Sequence, residues 1–369
     1  MQLRIGMIVG FILFCFVFST QLHAERVKVN AIYVPLADHY AAIVAFEKYA
    51  EQMKYADFSI QQMKNWDLLK TKFLEGNTEI AFAMAPLALN MFTESPIFKW
   101  IGLMHRDGNG LAINNVLANQ LELPDDHNER KPSHDLAQIV KSEINSNQRV
   151  LIGVPHLQSS HAVILFHYLK NNNLLLSFKP NFNDQILAIA VNPAESLNFL
   201  RGNNNLNRPV AIEQSLPWID VAESQNVGKV AWYSKDVLNT QNGHVECIAL
   251  ATNIALETKS KAIKEVFSMI KKAGKYIEEA RNGDPEKLNE IIKMVQKHIP
   301  AHTTEAIRLS LDPTLRVINY EHLDIDKPGL KLMMNLGLES GTITSPVNIN
   351  NFAAKEFDTL SVAGNDEDN

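Results

Sequence analysis

Cysteine is scarce: the 369 residues hold two, Cys15 and Cys247, too few for a disulfide framework. Basic character is scarce as well. Lys and Arg total 35 against 41 Asp and Glu, the net charge is −6, and no dense basic run occurs. That excludes a broad nucleic-acid surface. The sequence has no GxGxxG after a strand, no GxxxxGK[ST], no HExxH and no GxSxG. Dinucleotide, P-loop, zinc-protease and α/β-hydrolase chemistry therefore lack their signatures. VPHLQSSHA sets Ser159 and Ser160 between two histidines, but no acid is placed to complete a triad. His156 and His161 are five apart, a poor spacing for a helical metal pair. No catalytic residue, metal or cofactor is expected on these grounds.

One long apolar run is present, at the start. Arg4 precedes Gly6–Phe18, which is almost wholly apolar, and Leu22-His23-Ala24 offers a small residue for cleavage. This is the grammar of a secretory signal peptide over residues 1–24. The run falls short of the roughly 20 residues that span a bilayer. Its removal takes away Arg4 and moves the net charge from −6 to −7. Cys15 leaves with it, so Cys247, in the apolar run CIALA, is expected to be a lone, small, buried hydrophobe.

Hydrophobic residues make up 46% and charged residues 21%, a globular composition with ample core material. RVKVNAIYV (26–34) alternates as a strand, and Asp38–Met53 has helical apolar spacing. ADFSIQQM is a second strand. Asn65 caps a helix Trp66–Glu75 that stops at Gly76, and EIAFAMA is a third, buried strand. FKWIGLMH and LAINNV add two strand candidates. After the polar loop LPDDHNERKPSHD, strands RVLIGV, QILAIAV, PVAIE and KVAWYS alternate with helices. HVECIALATN is again a strand; the rest is mostly helical, led by Lys259–Arg281 and Pro285–His298. The rhythm is α/β with largely parallel sheets. The expected layout is two lobes: 25–113 plus 248–369 as lobe I and 114–247 as lobe II, with a hinged cleft where two segments cross.

Ligands of open α/β sheets bind beyond the carboxyl ends of strands, where helix N-termini present free N–H groups. This chain places Pro35, Asp38, His39 and Tyr40 after its first strand, Trp66 after the second and Ala85 after the third. Gln158, Ser159, Ser160 and His161 follow RVLIGV, while Glu213 and Trp218 follow PVAI. These are the candidate ligand-binding residues. Ser159, Asn65 and Asp38 could equally be helix caps, Trp66 and Trp218 core residues, and His161 a satisfied interior histidine.

Several of these stretches are similar to the substrate-binding proteins of ABC importers for nitrate, sulfonate or bicarbonate, in the NMT1/THI5-like group. They are IYVPLADHYAAIVAFEKY, W-x-x-L-x-x-x-F-x-x-G from Trp66 to Gly76, EIAFAMAP, SSHAVILFHYLKNNNL and LPWIDVAESQNVGKVAWYS. The resemblance covers about Arg26 to Gly283. It implies a periplasmic-binding-protein-like fold, two α/β lobes that close on a small solute without covalent chemistry, and delivery to an inner-membrane ABC permease. It also implies a periplasmic, monomeric protein with no nucleic-acid partner. By position, Asp38, Trp66, His161 and Trp218 fall in or near the cleft. The family's Glu before Pro-Trp is Leu216 here, and the part from about Lys297 to Phe357 matches poorly. Two alternatives remain: an enzyme related to thiamine-pyrimidine synthesis, which would need a cysteine-rich loop this chain lacks, and a ligand receptor for a membrane sensor.

Overall fold

The computed structural model describes residues 25–181 and 185–358; the expected signal peptide, residues 1–24, and the acidic end GNDEDN lie outside the described residues. Twelve strands are formed among them: β1 Val27–Tyr33, β2 Ala56–Gln62, β3 Ile80–Met84, β4 Phe98–Leu103, β5 Arg106–Asp107, β6 Asn109–Asn114, β7 Val150–Val154, β8 Ile186–Ala190, β9 Val210–Ser215, β10 Gly228–Tyr233, β11 Cys247–Thr252 and β12 Ile318–Asn319. They build one five-stranded sheet, β2-β1-β3-β11-β4, a second, β10-β6-β9-β7-β8, and the pair β12-β5.

The sheets are mixed and not largely parallel. β1 runs parallel to β2 and β3, but β11 is antiparallel to both β3 and β4. In the second sheet β7 is parallel to β8 and β9, while β6 is antiparallel to β9 and β10. The reversed strands are the ones at which the chain arrives from the other sheet. It leaves the first between Leu103 and Asn109 and returns between Tyr233 and Cys247. The starts of β6 and β11 therefore lie at the same sheet edges as the ends of their neighbours.

Central strands are apolar throughout because both faces are covered. Along β1, Val29, Ala31 and Tyr33 join one apolar cluster and Ile32 joins the other; in β3, Ile80 and Phe82 oppose Ala81 and Ala83. Helices Tyr40–Tyr49, Ser260–Arg281 and Pro285–His298 pack together on the first face, through Ile43, Val44, Val266, Ile270, Ile291 and Val295. Helix Trp66–Leu74 starts where expected: Asn65 Oδ1 accepts from the Leu68 N–H at 2.9 Å, and Gly76 takes a left-handed conformation, φ 77°. The first helix starts later than its apolar spacing suggests. Ala37–His39 form a 3₁₀ turn, the α-helix is Tyr40–Tyr49, and Asp38 caps nothing.

The C-terminal region ties the halves together. Helix Lys327–Ser340 packs on both Ala85–Glu94 and Ser160–Asn171, which follow strands of different sheets. A buried pair, Arg281 Nη1 to Glu278 Oε1 at 3.1 Å, docks this region on the long helix. Arg281 donates to the carbonyl of Ile318 at 2.6 Å, and Glu278 accepts from the Tyr320 N–H at 2.9 Å. No helix among the described residues is long and apolar enough to cross a membrane.

Candidate functional site

Polar side chains from the two sheet edges meet in a fully buried seam. The first sheet contributes Asp38 beyond β1, His105 beyond β4, and Glu246 and Cys247 at the start of β11. The second contributes Ser160 and His161 beyond β7 and Ser215 at the end of β9. Each is essentially inaccessible to solvent. Burying so many polar groups costs free energy unless they are paired, and the pairing crosses between sheets. Ser215 donates to Asp38 Oδ2 at 3.2 Å and lies 2.9 Å from His161 Nε2. With the hydroxyl proton on Asp38, Ser215 accepts the Nε2–H of His161. The Nδ1 lone pair of His161 is then free, 3.5 Å from Glu246 Oε1. Ser160 donates to the same carboxylate.

His105 stands between two carboxylates, with Nε2 3.0 Å from Glu246 Oε2 and 3.7 Å from Asp38 Oδ2. Burial opposes its charge, but Asp38 and then Cys247 and Glu246 outweigh burial and hold the ring protonated well above the usual histidine range. Asp38 mirrors this: burial raises its pKa, His105 overcomes the effect, and the carboxyl titrates below its ordinary value. His161 goes the other way. Burial dominates over its acidic neighbours and drives it down to about 4, so it is neutral near pH 7. Glu213 is buried with neither oxygen partnered; burial, reinforced by Glu246, pushes its pKa well above the carboxylate range. Asn109, opposite Ser215 in the sheet, also leaves both amide atoms unpartnered.

Around this seam stand Tyr40, His302 and Trp218. Tyr40 Oη lies 2.8 Å from His302 Nδ1, and the Trp218 ring meets His302 edge-on at 5.8 Å between centroids. Tyr320 reaches the same corner, donating to the carbonyl of Ala37 at 2.6 Å. The open surface pockets lie elsewhere, for example against Asp107, Lys235 and His322. The seam remains the stronger candidate, because orphaned buried polar atoms concentrate there.

The structure thus brings together Asp38, Tyr40, Ser160, His161, Glu213 and Trp218 from the sequence candidates. It places others differently. His39 is locked behind the seam: its Nδ1 lies 2.6 Å from the Val34 carbonyl and Nε2 3.4 Å from Cys247 Sγ, and its ring stacks on Phe82 and tilts against Trp66. Trp66 is core, 1% exposed, although its Nε1 has no partner. Ser159 caps its helix, accepting from the Ala162 N–H at 3.0 Å. Ala85 contributes its backbone N–H to the Glu246 carbonyl at 2.8 Å. Pro35 and Gln158 are half-buried, the latter donating its backbone N–H to His156 Nδ1 at 3.0 Å.

The NMT1-like family model matches residues 23–296, about three-quarters of the chain. The chain belongs to the NMT1-like family. Several solved structures share this NMT1-like fold. One is the ligand-binding component of an ABC-type import system from Staphylococcus aureus, solved with zinc bound. It has TM-score 0.68 and 17% identity, covering 89% of this chain and 97% of that one. The periplasmic nitrate-binding protein NrtA from Synechocystis PCC 6803 gives 0.68 and 15%, covering 89% and 84%. The alkanesulfonate-binding protein SsuA from Xanthomonas axonopodis pv. citri, bound to MOPS, gives 0.64 and 11%, covering 90% and 99%. Among curated proteins no sequence match was found. At these identities the likeness establishes the periplasmic-binding-protein fold.

Sequence reasoning missed His105, Ser215, Glu246, Cys247 and His302 as residues of this site. Ser215 and His105 sit at or just past strand ends and obey the rule that found the others. Glu246 precedes its strand, and only the antiparallel direction of β11 brings it to the ligand edge. His302 lies beyond the family match and arrives through the packing of the C-terminal helices.

Proposed function

We propose that this chain is the periplasmic solute-binding component of an ABC importer, acting as a monomer. It would capture a small solute between two lobes and hand it to an inner-membrane permease. The observation that carries the reading is the seam itself. Acid, histidine and hydroxyl groups from two separate sheets converge at the ligand edge of both, buried, with several polar atoms unpartnered. A stable core gains nothing from orphaned carboxylates, whereas a closing cleft needs them to replace a solute's water. The lobes would be the two sheets with their helices. The connections near 103–109 and 233–247 would form the hinge. The family membership and the solved relatives support the transport role. The seam contains no nucleophile beside a competent base with an open approach, which favours binding over an enzyme.

The test is a thermal-shift panel of nitrate, bicarbonate, alkyl sulfonates, thiamine-pyrimidine precursors and divalent metal salts on the purified protein. A solute that binds only the folded state stabilises it by about 2.7 kcal/mol at a hundredfold excess over Kd. One clear class of hit is expected. A melting temperature unmoved across the panel, with scattering also unchanged, counts against the reading.

A further inference from the structure

The arrangement of His105, Glu246 and Cys247 goes further than a generic cleft. We propose that these three residues bind a divalent transition-metal ion of zinc-like, borderline-soft character, and that the ion is the captured solute. This rests on the solute-binding reading and names its cargo.

The argument is geometric. One donor atom from each residue, an imidazole nitrogen, a carboxylate oxygen and the thiol sulfur, lies within 4.8 Å of the other two, and all three residues are buried. Metal–ligand bonds of about 2.0 Å to nitrogen or oxygen and about 2.3 Å to sulfur set neighbouring donors roughly 3.3–3.8 Å apart in a tetrahedron. The 3.0 Å from His105 Nε2 to Glu246 Oε2 is already near that spacing. His161 offers a fourth donor: its Nδ1 is unpartnered and 3.5 Å from Glu246 Oε1. Its other nitrogen is held by Ser215, which is held in turn by Asp38; ligating histidines are oriented by outer partners of this kind.

The donor chemistry selects the class of solute. Magnesium and calcium favour oxygen-only shells, whereas sulfur with imidazole suits zinc and its neighbours. An anion is disfavoured. Asp38 and Glu246 present acceptors, and the nearby Arg106 is turned away onto Asp326 and the carbonyls of His322 and Gly243. Binding replaces the thiol proton of Cys247 and the Nε2 proton of His105 with the ion, and the protons pass to solvent.

The experiment is titration of chelator-stripped protein with zinc chloride and, separately, cobalt(II) chloride, followed by calorimetry and absorption. The expected result is one ion per chain and a thiolate-to-cobalt charge-transfer band. Cys247→Ser should abolish that band while retaining weaker binding. Glu246→Gln should weaken zinc binding at least about 100-fold. His298→Gln, which alters a histidine–carboxylate pair outside the seam, should leave affinity unchanged. Circular dichroism of each variant reports folding; if Glu246→Gln does not fold, the cobalt band in wild type and in Cys247→Ser decides alone. A missing band, or zinc affinity indifferent to Glu246→Gln, overturns the proposal. If nitrate, a sulfonate or a thiamine precursor binds and zinc does not, the metal assignment falls and the solute-binding reading stands. If nothing binds, both fall.

Discussion

Replacing Asp220 by Asn should remove a pH-dependent penalty built into the second sheet's end of the protein. Asp220 lies in helix Trp218–Ser224, 2% exposed, and accepts from the Tyr233 hydroxyl at 2.9 Å through Oδ1; Oδ2 has no partner. Burial is the largest influence on it. The Tyr233 hydrogen bond and His127 recover only part, and the carboxyl is pushed up to about 7 from 3.8. Each pKa unit is about 1.4 kcal/mol, so ionising Asp220 in the fold costs up to about 4 kcal/mol. The sign follows from proton counts: between pH 4 and 7 the folded state holds this proton and the unfolded chain does not. Stability therefore falls as pH rises through that window, and the penalty is complete above pH 7. Asn keeps an acceptor for Tyr233 and cannot ionise. Urea melts of wild type and D220N from pH 4 to 8 should diverge with rising pH. The variant should be more stable at pH 8 by about 2–4 kcal/mol and near-equal at pH 4. Parallel curves would refute the burial argument.

Four further outcomes follow from packing and buried pairing. Trp66→Ala should cost about 3–5 kcal/mol of stability by opening a core cavity. Trp218→Ala, at the rim beside His302, should instead weaken solute binding by more than 1 kcal/mol with a smaller loss of fold; urea melts alongside a binding titration separate the two. Glu278→Ala should leave Arg281 buried and uncompensated and cost about 3–5 kcal/mol by chemical denaturation. Gly102→Ala should cost about 1–3 kcal/mol, read as a lowered melting temperature. Its Cβ would meet Phe267 Cζ at 2.1 Å and the Leu323 carbonyl at 2.8 Å, at a φ of 150°.

Much of the fold was legible because it is written in local signals. Asn65 and Gly76 mark the ends of one helix, and apolar spacing marked Ser260–Arg281 and Pro285–His298 closely. Strand direction was not legible. Parallel and antiparallel central strands are equally apolar when both faces are covered, so β6 and β11 gave no sign of running backwards. That ambiguity hid Glu246. The strand-end rule found Asp38, Ser160 and His161, yet it could not tell a side chain aimed into the seam from one aimed behind it. Asp38 and His39 are adjacent; one faces Ser215, the other Val34 and Cys247. Cys247 is buried, as its apolar run suggested, but its neighbours His105 and Glu246 come from sequence positions about 140 residues apart, a proximity only the fold creates.

The central claim is that two lobes close on a solute at this seam. Small-angle scattering tests it directly. The purified protein, stripped with chelator and dialysed, is measured with and without a saturating amount of whichever solute raises its melting temperature in the panel. The account predicts a smaller radius of gyration in the loaded protein, and loss of that compaction when Glu246 and Ser160, from opposite sheets, are replaced together. An unchanged radius with bound solute, or compaction indifferent to the double replacement, would contradict it.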